Sequence, residues 1–230
     1  MEKTYFKSII LQMRNSLAYF VIGALLGSGI ASILFIIDKN LVEIIINAWL
    51  KRVTFGLKYF GGNYKLWFIT NNLVALLMIV VALVLIITMF LKRRRFHISY
   101  FRKYERENPR ITLYSLYMIP IGALIINGAL ISFFLTYILW SQGIENFSTA
   151  LALMMPHGVN EFIALILVSS YGLVYIKMIR PFVLKRNWNG ITKTSKKFFF
   201  SQTTVVFIVI ILILVVFSGV VEGSLSLLIK

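Results

Sequence analysis

Cysteine is absent from this 230-residue chain, which excludes disulfides, thiolate nucleophiles, iron–sulfur clusters and cysteine-based zinc sites. Acidic residues are scarce, with 8 Asp and Glu against 24 Lys and Arg and a formal charge of +16. Only two histidines occur, His97 and His157. One His and one Glu supply fewer than the three protein ligands of a catalytic zinc site, so no metal and no cofactor is expected. There is no phosphate-cradling glycine loop, nucleophile elbow, HExxH run, kinase signature or carboxylate pair, and the chain is expected not to be an enzyme. Nor is there an internal repeat or a low-complexity tract.

What is present is apolar. Hydrophobic residues make up 59% of the chain, charged residues 14%, and the mean hydropathy is +0.86, too high for a soluble domain of this length. Five runs could cross a bilayer, since about 20 helical residues span roughly 30 Å of hydrocarbon. They lie near Leu17–Ile37, Leu73–Leu91, Thr112–Trp140, Val159–Ile179 and Phe198–Val221. The expectation is an all-α membrane protein, one integral domain over 1–230. The first run is long and starts only after Arg14, so it reads as an anchor and not a cleaved leader.

Lys and Arg set the orientation. With the N-terminus cytoplasmic, 18 fall on the inner side, among them Arg93, Arg94, Arg95, Arg186, Lys196 and Lys197, and 6 on the outer side. The chain is therefore expected in the cell membrane, multi-pass, N-terminus inside and C-terminus outside. Insertion and attraction to anionic lipid head groups account for the basic loops, so nucleic acid is not an expected partner.

Two segments between the runs read as outer-side interfacial or re-entrant helices. From Leu41 to Phe60, the residues Glu43, Asn47, Lys51, Thr54 and Lys58 draw one polar stripe on an otherwise apolar helix, and Gly61-Gly62-Asn63 ends it. Ile144–Met155 reads as a short helix dipping into the outer leaflet and stopping at Pro156. Small residues at Gly23 and Gly27 permit close helix contact, inside the subunit or in a homodimer. Asn146-Phe147-Ser148 fits a glycosylation acceptor but lies too near the membrane for occupancy to be expected.

The polar residues within the apolar runs matter most. Pro156-His157-Gly158-Val159-Asn160-Glu161-Phe162 carries an imidazole, an amide and a carboxylate into the fourth run. A carboxylate in hydrocarbon costs about 2.5 to 3.5 kcal/mol on insertion scales, so Glu161 must be paired, protonated or turned into a protein-lined cavity. His157 and Glu161 are four apart and share a helix face; Gly158, like Gly128, would let a second backbone approach. Asn71, Asn72, Asn127, His157 and Glu161 are expected to converge in one hydrogen-bonded cluster in the outer half of the bundle. The cluster could lock the spans together, bind a proton, ion or polar solute, or support metal-dependent catalysis. His97, in the inner loop, is on the wrong side to join it.

In the order Asn71-Asn72, Pro120 with Asn127-Gly128, and Pro-His-Gly-x-x-Glu followed by Ala164 and Gly172, the whole chain resembles the stage II sporulation protein M family of polytopic membrane proteins. The basic loop Lys92–Arg110 is longer and more charged than that pattern. The resemblance implies a non-enzymatic scaffold that positions other membrane or membrane-associated proteins, as sporulating relatives hold peptidoglycan-degrading enzymes at a septal membrane. A transport or channel component is the alternative.

Overall fold

A computed structural model describes residues 2–92 and 109–228. Arg93, Arg94, Arg95 and His97 fall outside these residues, as does the side chain of His157. Seven helices and no strands make up the described chain: α1 (Glu2–Ile37), α2 (Lys39–Tyr59), α3 (Tyr64–Lys92), α4 (109–142), α5 (144–184), α6 (Trp188–Phe199) and α7 (Gln202–Leu228). Five of them, α1, α3, α4, α5 and α7, are long and apolar enough to cross a membrane, consistent with a multi-pass membrane protein.

The breaks between helices follow local chemistry. Asp38 accepts from the Asn40 backbone at 2.9 Å and starts α2, while Gly61 and Gly62, at φ 59° and 80°, end the chain's run toward α3 in a conformation that costs glycine nothing. Asn63 then caps α3, accepting from the Leu66 amide at 3.1 Å. Between α4 and α5 a single residue reverses the chain: Gly143, at φ 84° and ψ 177°, occupies a region open essentially to glycine alone.

This reversal overturns the expected short helix over Ile144–Met155. The segment is the first part of α5, and Pro156 lies inside the helix instead of ending it. A proline in a membrane helix frees one carbonyl and removes one N–H, a local loss that neighbouring groups can repair. α2 does form as a helix, with Val42 and Ile46 buried and Asn47, Lys51, Thr54 and Lys58 exposed.

Contacts fix the direction of each long helix. Gly27 meets Ala129, Ser28 bonds Thr136 at 3.0 Å and Phe35 meets Trp140, so α1 and α4 run parallel. Ser16 bonds Ser170 at 2.8 Å and Phe20 meets Phe162, so α1 and α5 are antiparallel. Gly219 and Gly223 lie against Ile69 and Lys65, which makes α3 and α7 antiparallel. The five helices therefore alternate in direction. α5 is the central one, with 67% of its apolar stretch buried against 17 to 28% for the others. Outer faces stay apolar, as at Leu25, Ile36 and Phe217, which are 70%, 78% and 57% exposed.

Glycines make the closest seams. A methyl at Gly23 would collide with the Ile125 backbone, one at Gly27 with Ala129, and one at Gly128 with Phe20. The Gly23–Gly27 face is thus filled by α4 of the same chain. Gly158 differs from expectation: among the described residues nothing lies near a Cβ built there, and no other backbone approaches it.

Candidate functional site

Glu161 lies on α5 where α3 and α7 meet it. Asn72 Nδ2, on α3, donates to Glu161 Oε1, and Ser218 Oγ, on α7, donates to the same oxygen at 2.8 Å. Ser218 is fully buried and Glu161 half-buried. The carboxyl of Glu222, one turn beyond Ser218, is close enough to interact with Glu161 through a hydrogen bond and by charge. Three helices thus converge on one carboxyl, and a second carboxyl stands beside it.

The α3–α7 seam explains why these groups meet. Gly219 and Gly223, four apart, bring the two backbones together at Ile69 and Lys65, which carries Ser218 close to the level of Asn72 and places Glu222 one turn further toward Lys65. Asn72 lies seven residues from Lys65, about 10 Å along the axis, and Glu161 sixteen residues from Lys177, about 24 Å. The site therefore sits within the apolar length of the bundle, nearer its Lys65 end.

Not every expected member joins. Asn71 is half-buried on α3 beside Asn72. Asn127 faces outward on α4, and its amide donates to the Ala123 carbonyl of its own helix at 2.8 Å. Its expected convergence with Glu161 does not occur, because a side chain that bonds the carbonyl one turn back needs no partner on another helix. Asn160 does the same toward the Pro156 carbonyl at 3.0 Å, using one of the groups near the proline.

Glu222 and Ser218 are the residues that reading the sequence missed. Glu222 falls one residue past the expected end of the fifth run at Val221, whereas α7 continues to Leu228. The Gly219-x-x-x-Gly223 spacing was the available signal. With Glu222 in place, the chain does hold a carboxylate pair, assembled across the fold from residues 61 apart in sequence.

A second polar contact joins α1 and α5 toward the other end. Lys177 Nζ donates to Gln12 Oε1 at 2.5 Å, with Gln12 buried, and Asn15 reaches the same oxygen at 3.4 Å. Ser16 and Ser170 bond one turn away. Gln12 and Ser16, four apart on α1, lie just before the expected start of the first run at Leu17, and reading the sequence missed them.

No group of three or more metal-ligating side chains occurs among the described residues. No family model matches the chain, and neither a curated protein nor a solved structure matches it significantly.

Proposed function

We propose that this chain is a non-enzymatic multi-pass membrane scaffold that positions partner proteins at the membrane, as its resemblance to the stage II sporulation protein M family implies. The observation that carries the reading is the latch at the Pro-His-Gly-x-x-Glu segment: Glu161 ties α3, α5 and α7 through Asn72 and Ser218. Interhelical polar contacts of this kind stabilise membrane bundles whose apolar faces gain little from packing against one another instead of lipid. The N-terminus lies in the cytoplasm and the C-terminus outside, a placement supported by the 18-to-6 division of basic residues and by the odd number of alternating helices. In that orientation α2 lies at the outer interface, with Asn47, Lys51 and Lys58 toward water.

A second reading rests on the Glu161–Glu222 contact. Two carboxyls side by side within the apolar length of the bundle can take up and release a proton or hold a cation between them. Glu161→Gln separates the readings. The amide keeps the acceptor used by Asn72 and Ser218 and adds a donor toward Glu222, so a scaffold should stay assembled and retain the proteins crosslinked to it in intact membranes. If the folded variant, reconstituted in vesicles, instead loses a proton or cation flux that the wild type supports, the scaffold reading is wrong.

A further inference from the structure

α6 was expected to be part of a basic loop and is instead a docked amphipathic helix. After α5 the chain turns at Arg186, whose φ is 52°, and Asn187 caps α6 by accepting from the Gly190 amide at 2.9 Å. α6 then runs back along the last turns of α5. Gly190 sits against Phe182, the Ser195 and Tyr175 hydroxyls bond at 2.6 Å, and the Phe198 and Tyr171 rings lie 4.5 Å apart. Ile191 and Phe198 are each 1% exposed, and with Ser195 they form the docked face.

Lys193, Lys196 and Lys197 follow the i, i+3, i+4 pattern on the opposite face, and all three are exposed. Because α6 is fastened side-on to a central helix, that face points laterally, away from the bundle. Lys185 is exposed just before α6, and Phe200, just after it, is 86% exposed. The stretch 162–221 holds seven Lys and Arg and no Asp or Glu. A lateral row of ammonium groups beside an exposed aromatic ring suits the boundary between phosphates and acyl chains, where lysine stems and rings lie in the apolar zone and the charged tips reach out.

We propose that α6 binds anionic phospholipid head groups of the leaflet at this end of the bundle, with phosphates seated among Lys193, Lys196 and Lys197 and Phe200 in the acyl boundary. This rests on the chain spanning a bilayer, as read above, and is independent of any protein partner. The test uses the full chain reconstituted in phosphatidylcholine vesicles containing a minority of phosphatidylglycerol, then extracted for native mass spectrometry of the retained lipids. Phosphatidylglycerol should be enriched several-fold over its share in the bilayer, and K193Q/K196Q/K197Q should abolish most of that enrichment, bringing retention close to the bilayer share. Successful reconstitution with retention in simple proportion to the bilayer would overturn the proposal while leaving the membrane reading intact. So would a triple variant that folds and retains as much phosphatidylglycerol as wild type, or displacement of the lipid by millimolar inorganic phosphate, which would mark a site for the free anion. If the triple variant fails to insert, salt supplies the same test on wild type: enrichment must fall as ionic strength rises, and constancy refutes the electrostatic origin.

Discussion

Replacing Glu161 by Leu removes the one oxygen that accepts from both α3 and α7. Interhelical hydrogen bonds in membrane bundles average about 0.6 kcal/mol and reach about 1.7, so two of them put the expected loss at roughly 1 to 3.5 kcal/mol. Leucine itself is at home in hydrocarbon, which pulls the result toward the lower end; the Asn72 amide, deprived of its Glu161 acceptor, pulls it back. The pairwise part can be isolated. Asn72→Leu, Glu161→Leu and the double variant form a cycle whose coupling energy should be about 0.6 to 1.7 kcal/mol. Tryptophan fluorescence during unfolding by denaturing detergent in mixed micelles measures all four proteins. Glu161→Gln in the same assay should stay within about 1 kcal/mol of wild type, since its carbonyl still accepts both bonds. A coupling energy below about 0.3 kcal/mol would mean that the two side chains act independently and that the latch does not hold the helices.

Gly27→Val should destabilise the bundle by about 2 kcal/mol or more because its side chain meets the Ala129 backbone, whereas Gly29→Ala, with open space around it, should be neutral or stabilising by up to about 1 kcal/mol; detergent unfolding of both compares them directly. Gly143→Ala should cost about 1 to 3 kcal/mol by forcing a Cβ into the φ 84°, ψ 177° conformation, read as a lower midpoint in the same titration. Tyr175→Phe removes the bond to Ser195 and should cost about 0.5 to 1.5 kcal/mol, with faster amide exchange confined to α6. Glu161→Leu should speed exchange in α3 and α7 and leave the α1–α4 seam unchanged; a uniform increase across all helices would contradict the local character of the latch.

The long helices were legible because hydropathy over some twenty residues is a strong signal and because so few residues here can interrupt it. Their joints were less so. Pro156 and Gly143 both punctuate the same stretch, and sequence alone favours the proline as the stop; in the folded chain Gly143 takes a backbone conformation closed to other residues, while Pro156 costs the helix only one bond. α6 was hidden because its docked face is short, Ile191, Ser195 and Phe198, and the lysines between them read as loop. The site was half visible. Glu161 and Asn72 stood out as polar residues in apolar runs, and they do meet. Asn127 stood out for the same reason and does not, since an amide can satisfy itself on its own helix. A carboxylate has no donor and cannot do likewise, which makes intramembrane Glu a surer guide to interhelical contact than intramembrane Asn.

That asymmetry also bears on what the latch is for. Had evolution needed only to fasten α3 and α7 to α5, a glutamine at 161 would accept from Asn72 and Ser218 without a charge to desolvate. The chain instead keeps a carboxyl there and places Glu222 against it, on a seam whose glycines already bring α3 and α7 into close contact. Two acidic groups within the apolar length of the bundle are the most costly way to make this joint, whereas the α1–α4 seam is built on Gly23, Gly27 and Gly128 with one Ser28–Thr136 bond. The excess cost falls on the Glu161–Glu222 contact alone, which is why exchanging the carboxyl for an amide at 161, and not truncating it, is the change that separates a fastening role from a proton-handling or cation-handling one.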